Sequence, residues 1–494
     1  MINLKKAILE GIPKALPTRK KLNPNVSHAP NRKKVLNKEE RKLAIRNALR
    51  YFPKHFHKEL AEEFLEELDK YGKIYMYRFM PDYEIKSRNI NDFPYKSKQA
   101  ASIQLMLSNN LDYAIAQHPE ELITYGGNGS VFQNWAQYLL CMQYLAKMNN
   151  KQTLVLYSGH PLGLFPSNEY APRLVITNGM MIPNYSKPND LLKYSALGVT
   201  QYGQMTAGSF MYIGPQGIVH GTNITVLNAA RKIDPKSKDL SGKIFVTSGL
   251  GGMSGAQAKA AVIAKGVCIV AEINEDAINK RHHQGWVDEI YDDLDKLIKR
   301  AISAKNNKEA LSIAYKGNIV DLWEKIVELN IHIDIGSDQT SLHNPFAGGY
   351  YPVGLNYQEA NTLMVEQPEE FKNKIQETLI RHTKAINKLT KKGMYFFDYG
   401  NAFLLEAKRA GADILDQSNK FKYPSYVQDI MGPMCFDYGF GPFRWVCTSN
   451  NDSDLDKSDE IACYVLKEML QDAPDEIKLQ LLDNINWIKE AKKK

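Results

Sequence analysis

Cysteine is scarce in this chain of 494 residues. The five present, Cys141, Cys268, Cys435, Cys447 and Cys463, are too few and too widely spaced for a disulfide framework, and none forms a Cys-x-x-Cys metal spacing. No metal site is expected. Long apolar runs are missing, so no membrane-spanning helix is predicted. The opening MINLKKAILEGIPKALPTRKK lacks a continuous apolar segment with a small-residue cleavage site, so no secretory signal is read. A reducing cytoplasm is the expected compartment. No internal repeat is visible. What remains is an ordinary globular composition, 44% hydrophobic and 24% charged, on a chain long enough for two or three domains.

The net charge is +8, and much of it sits at the front, where residues 1–50 hold 14 Lys/Arg against 3 Asp/Glu. A basic arm of this kind suits a polyanion or a membrane surface. This one lacks repeated aromatics and any long unbroken basic run, so it reads as a solvated extension with no nucleic-acid or membrane partner.

Along the chain, residues 1–40 are rich in Pro, Asn and Lys and read as an extended arm. Residues 39–72 place apolar side chains at helical spacing, broken at Pro53. Further helices are predicted over 100–111 and 131–147. From 153 to 223, short apolar runs alternate with Gly/Pro/Asn turns and read as strands and ordered loops. From 240 the rhythm becomes strand–helix: KIFVTSG, VCIVAEIN, ALSIAYKG, IHIDIGSDQT and MYFFDYG are strand-like, with helical stretches between them, one of them over 275–304. Such alternation predicts a parallel sheet with helices on both faces. Residues 454–494 read as charged helix.

One local pattern carries chemistry. Gly249-Leu250-Gly251-Gly252-Met253-Ser254-Gly255 follows a predicted strand, Lys243–Thr247, and opens a helix. Glycines there let backbone N–H groups approach a pyrophosphate, and the helix dipole favours its charge. Glu272 ends the next strand, 23 residues after Gly249, where a dinucleotide fold places the acid that binds the adenosine ribose. An acid there favours NAD over NADP. A strict Gly-x-Gly-x-x-Gly needs glycine at Ser254; the third glycine comes one position late, at Gly255.

Other segments resemble one family closely. They are Tyr125-Gly126-Gly127-Asn128-Gly129 with Asn134-Trp135, Tyr157-Ser158-Gly159-His160-Pro161, and Tyr202-Gly203-Gln204-Met205-Thr206-Ala207-Gly208-Ser209 running into Tyr212-Ile213-Gly214-Pro215-Gln216-Gly217. Asp338-Gln339-Thr340-Ser341-Leu342-His343, Phe397-Asp398-Tyr399-Gly400-Asn401 and Gly441-Pro442-Phe443-Arg444-Trp445 follow in family order. They resemble the urocanate hydratase (urocanase) family, in its longer, eukaryote-type branch. The resemblance implies an α/β fold, with a Rossmann-like NAD-binding domain at 214–424 inserted into a second α/β core domain made of 41–213 and 425–494, behind the arm at 1–40. It implies a homodimer. It also implies that NAD acts as an electrophile attacked by the imidazole of urocanate, so that water adds to give 4-imidazolone-5-propionate, in histidine degradation, without net hydride transfer.

By the same resemblance, Gly126, Gly127, Gln204, Gly252, Met253, Ser254, Glu272, Asn318, Ile319, Gln339, Thr340, Ser341, Leu342, His343, Tyr350, Tyr351 and Tyr399 line the cofactor. Arg444 is assigned to the propenoate carboxylate, which a guanidinium can hold through two bonds; a cap on local structure is the alternative. Tyr125 either places the attacking water or packs beside a turn. His343 is either a proton relay or a hydrogen-bonded member of the ligand shell. The family continues past Trp487-Ile488-Lys489-Glu490-Ala491 with motifs that complete the active site, so the resemblance implies a C-terminally truncated member. Two other readings stay open: a non-catalytic or split-gene NAD-binding fragment, and a conventional NAD-dependent dehydrogenase.

Overall fold

The computed structural model describes residues 3–125, 129–130, 132–177, 187–201, 216–442 and 445–493. The chain forms two compact units, one of residues 1–214 with 445–456 and the other of 215–444 with 457–494. The sequence reading divides the chain at 213/214 and 424/425 and assigns 425–494 to the core domain.

The first unit begins with α1 (Leu4–Glu10), followed by α2 (Lys38–Leu49) and α3 (His57–Tyr71), then α4 (Lys98–Asn110). A capping box between Asn37 and Glu40 starts α2. Strands β1 (Ile123–Tyr125) and β2 (Gly129–Ser130) pair antiparallel ahead of α5 (Trp135–Lys147). Three further strands, β3 (Gln152–Tyr157), β4 (His160–Pro166) and β5 (Leu174–Thr177), form a sheet of order β4-β3-β5. Short α6 (Pro188–Ala196) closes the described part. Leu60, Phe64, Phe79, Trp135, Tyr138 and Leu154 share one core.

The basic arm is not a solvated extension. Ile8 is buried in the same core, and Arg32 N–H donates to the Tyr71 carbonyl at 2.9 Å. Two of its cations are paired: Arg19 Nε lies 3.1 Å from Glu63 and Lys20 Nζ 2.6 Å from Asp82. Part of the positive charge concentrated in sequence is thereby met by acids from α3 and the segment after it.

The second unit is built on a parallel sheet of six strands: β6 (Ile244–Ser248), β7 (Val267–Glu272), β8 (Glu289–Tyr291), β9 (Leu311–Lys316), β10 (Ile335–Gly336) and β11 (Tyr395–Phe396). Their order is β11-β10-β6-β7-β9-β8, with every neighbour parallel. Strand residues alternate between two cores. Val246, Ile269 and Ile313 face one, while Phe245, Cys268 and Ala314 face the other. Helices cover both faces, which is why these strands read as continuous apolar runs. α10 (Leu294–Asn306), α11 (Ile319–Glu328) and α13 (Pro368–Thr390) supply the first core; α7 (Gln216–Ile233), α8 (Ala256–Ile263) and α9 (Glu275–His283) supply the second. α12 (Tyr357–Glu366) and α14 (Phe403–Arg409) pack with α13 in the first core.

The predicted helix over 275–304 is interrupted by β8, a short, half-exposed edge strand whose residues show no apolar run. At the C-terminus come α15 (Asp452–Asp472) and α16 (Asp475–Ala491), separated at Pro474. α16 lies on α7: Asp483 receives Arg231 through two bonds of 2.6 and 2.8 Å, and Trp487 stacks on His220. On α15, Ile461, Tyr464, Val465 and Met469 are exposed. Among the described residues no helix is long and apolar enough to cross a membrane.

Candidate cofactor site and its family

The sheet order reverses at β6. The chain leaves β6 toward β7 on one side and later returns to β10 on the other, which opens a crevice at the strands' C-terminal ends, where such folds bind ligands. Five loops meet that edge: residues after Ser248, Glu272, Lys316, Gly336 and Phe396.

The first is the glycine loop. Gly249 has φ +94°, and a Cβ there would lie 2.7 Å from Ser254 Oγ and 3.3 Å from the Gln339 carbonyl. A side chain is therefore excluded by both conformation and space. Ser254 does not break the motif: its Oγ accepts the Gly251 N–H at 2.9 Å and folds the loop on itself. The late glycine has its own reason. A Cβ on Gly255 would sit 2.4 Å from Arg281 Nε. Arg281 reaches from α9 and donates to the carbonyls of Leu250 at 3.2 Å and Gly251 at 2.7 Å. It also lies 4.6 Å from the Trp286 ring centroid. Turning those carbonyls to Arg281 constrains the peptide planes of the loop.

Glu272 ends β7 beside this loop. Its Oε2 accepts Leu250 N–H at 2.8 Å and its Oε1 accepts Asn274 N–H at 2.9 Å. Burial pushes the carboxyl above its ordinary range, and these N–H donors oppose that shift. Each oxygen keeps a lone pair for a ligand hydroxyl.

Across the crevice, the loop after β10 turns on Asp338. This buried carboxylate accepts from Ser248 Oγ, from Thr340 Oγ1 at 2.6 Å and from Asn401 Nδ2 at 2.7 Å. Burial raises its pKa, and the donors lower it. One acid thus ties the ends of β6, β10 and β11 together. Gln339 projects from this knot with its Oε1 buried and without a hydrogen-bond partner among the described residues. Such an acceptor calls for a donor from a ligand.

The remaining expected residues are placed unequally. Asn318 caps α11 through Val320 N–H at 3.0 Å and donates to the Tyr351 carbonyl at 3.0 Å. Tyr351 donates to Asn361 at 3.1 Å, and the charge of Glu272 acts on its hydroxyl. Tyr399 donates to Thr222 at 2.7 Å and stacks on Tyr426. Gly252 and Met253 are half-buried on the loop, and Ser341 is half-buried below His343 in sequence. Burial pushes the His343 imidazole below its ordinary value. Ile319, Leu342 and Tyr350 are core side chains; the Tyr350 hydroxyl hydrogen-bonds His382 Nδ1 at 2.9 Å. Gly126, Gly127, Gln204 and Arg444 lie outside the described residues, as does the side chain of Tyr125. Arg281 is absent from the sequence expectation, and Asp338 and Asn401 stand in its motifs without an assigned role. Nothing marks Arg281 within the basic run Lys280-Arg281-His282-His283.

A loop that admits no Cβ at Gly249 or Gly255, a carboxylate at the adjacent strand end and an orphaned amide oxygen opposite suit a dinucleotide. No group of three or more His, Cys, Asp or Glu able to hold a metal occurs among the described residues.

Three family models match in order: the urocanase N-terminal domain at residues 85–211, the urocanase Rossmann-like domain at 214–430 and the urocanase C-terminal domain at 433–494. The chain is 58% identical over 499 residues to a probable urocanate hydratase of Dictyostelium discoideum, covering 99% of this chain and 74% of that protein. It is 56% identical over 495 residues to urocanate hydratase of Homo sapiens, covering 98% and 73%. A probable urocanate hydratase of Halobacterium salinarum is 36% identical over 375 residues, covering 75% and 63%. The chain spans about three quarters of the length of the first two of these relatives. On this evidence the chain belongs to the urocanate hydratase family.

Proposed function

We propose that this chain is a urocanate hydratase, a hydro-lyase that adds water to urocanate to give 4-imidazolone-5-propionate in histidine degradation, with NAD+ held at the crevice of the second unit. The observation that carries the hydratase reading is identity of 56–58% to urocanate hydratases over nearly the whole chain. Glu272 tied to the glycine loop supports the cofactor.

When bound, NAD+ supplies an electron-poor ring that draws electron density from the substrate imidazole. The chain's own residues do the rest. Gly252, Met253 and Ser254 present backbone N–H groups to the pyrophosphate ahead of α8, the N–H groups of Leu250 and Gly251 being held by Glu272 and Ser254. Glu272 accepts from the adenosine ribose, and Gln339 Oε1 receives a donor from the ligand. Asn318, Thr340, Ser341, Tyr351 and Tyr399 close around it. His343, kept neutral by burial at pH 7, is suited to accept and return a proton. Tyr125 orients the water and Arg444 holds the carboxylate, with Gly126, Gly127 and Gln204 beside the cofactor. Hydration changes no net oxidation state, so the cofactor leaves the cycle as it entered. The working protein is a cytoplasmic homodimer.

The test is the cofactor's oxidation state. Protein loaded with NAD+ should turn over urocanate many times with its nucleotide still oxidised. Formation of NADH in step with product would show net hydride transfer and favour a dehydrogenase.

A further inference from the structure

In the first unit, β1 ends at Tyr125 and is entered through a short loop. His118 and Ile123 close that loop, each N–H 3.0 Å from the other's carbonyl, and Gln117 N–H donates to the Thr124 carbonyl at 3.0 Å. Within it Leu122 has φ +59°, in the left-handed region that disfavours a side chain. Such a conformation persists only where the surroundings fix it. Two carboxylates adjoin it: Glu120 and Glu121 are 3% and 2% exposed. Acids buried this deeply require donors.

The basic arm supplies several of those donors. Asn23 N–H donates to Glu120 Oε2 at 3.1 Å. His28 Nδ1 lies 3.0 Å from Glu121 Oε1, and Ala29 N–H donates to Glu121 Oε2 at 3.4 Å. Ser27 Oγ and His118 Nδ1 hydrogen-bond at 3.1 Å. The rest come from the folded body. The Tyr77 hydroxyl donates to Glu121 Oε1 at 2.9 Å, and Trp135 Nε1 donates to the Glu120 carbonyl at 2.9 Å. The family's N-terminal model begins at residue 85, so the arm's donors lie ahead of it while Glu120, Glu121 and Tyr125 lie within it.

His28 is the centre of this clasp. Its Nε2 lies 2.8 Å from the Asn23 carbonyl, which can only accept, so Nε2 carries a hydrogen. A second proton must then lie between Nδ1 and the Glu121 carboxylate. Burial lowers the imidazole's pKa, and the bonds to Glu121 and the Asn23 carbonyl outweigh it and hold the pKa above its ordinary value. The arm is thereby joined to the loop by a charge-assisted hydrogen bond.

We infer that the arm segment 23–29 is a positioning element of the hydratase site: its grip on Glu120 and Glu121 fixes the loop from which the chain enters β1, and so sets Tyr125. His28 is a positioning residue that acts through Glu121. The inference rests on the reading that gives Tyr125 the water.

The experiment compares the full chain with His28→Leu, which loses both ring donors, and His28→Asn, which keeps one N–H donor near the Nδ1 position. Amide hydrogen exchange, read by mass spectrometry, follows residues 117–125 and, as a control, the glycine loop at 249–255. In His28→Leu the 117–125 amides should exchange roughly tenfold faster, with the control unchanged. On urocanate, the NAD+-loaded variant should lose roughly tenfold or more in kcat with KM within about twofold, since misplacement of a reacting group falls on the chemical step. His28→Asn should recover most of both losses, which a mere gap in packing would not allow. Unchanged exchange at 117–125 overturns the inference. So does faster exchange there with kcat unaltered. A parent chain that binds NAD+ but leaves urocanate untouched overturns the hydratase reading, while the exchange result still decides whether the arm holds the loop. If His28→Leu fails to fold, Ser27→Ala at its exposed position decides by the same exchange and kcat measurements.

Discussion

Leu250 N–H points at the carboxylate of Glu272, 2.8 Å away, so the acid at the end of β7 is fastened to the glycine loop after β6. Removing the carboxylate loses both a ligand contact and a brace on the loop. Glu272→Ala should weaken NAD+ binding by roughly 10- to 100-fold, the range for a hydrogen bond to a charged group. Fluorescence titration of cofactor-free protein measures it; an unchanged affinity would remove Glu272 from the site.

Two glycines two residues apart should behave differently. Gly249→Ala puts a methyl 2.7 Å from Ser254 Oγ at φ +94°, and should cost about 1–3 kcal/mol and abolish tight NAD+ binding. Gly251→Ala places its methyl 3.5 Å from the same oxygen, an ordinary contact, and should shift stability by less than about 1 kcal/mol. Thermal denaturation of the pair separates the cases.

The second unit depends on a buried ion pair. Asp483 and Arg231 are 4% and 5% exposed and joined by two hydrogen bonds. Asp483→Asn leaves the guanidinium buried without its counter-charge and should destabilise by about 3–5 kcal/mol. Denaturant unfolding of the variant tests this, and a loss under 1 kcal/mol would contradict it.

His382 makes stability pH-dependent. It is fully buried behind Tyr350, and burial drives its pKa from 6.5 to about 3. The folded protein therefore binds fewer protons at this site than the unfolded chain once pH falls below 6.5. Its stabilising contribution is complete above that pH and is lost toward the folded value, at about 1.4 kcal/mol per pH unit. His382→Gln should remove one proton's worth of slope between roughly pH 6 and pH 4. Stability measured at several pH values shows whether the slope changes.

Much of the second unit is legible in sequence because β6, β7 and β9 are buried on both faces and so are mostly apolar. β8 escapes because a short edge strand, Glu289-Ile290-Tyr291, needs no such run. The arm escapes for another reason: Arg19 and Lys20 look solvated until α3 and the following loop bring acids to them. At the site, the spacing from Gly249 to Glu272 exposes the acid, since one βαβ step fixes that length. Arg281 is invisible because its target is a pair of backbone carbonyls, which leave no trace in side-chain pattern. Leu342 stands within a family motif and Tyr350 among the residues expected at the cofactor, yet their side chains pack in the core.

The central claim meets its most direct test in the purified chain's action on urocanate, followed by loss of the substrate's ultraviolet absorbance while bound nucleotide is quantified on the same sample. The account predicts steady loss of urocanate, nucleotide present as NAD+, and no rise at 340 nm from NADH. Urocanate left untouched by fully NAD+-loaded protein, or consumed with stoichiometric NADH, would contradict it.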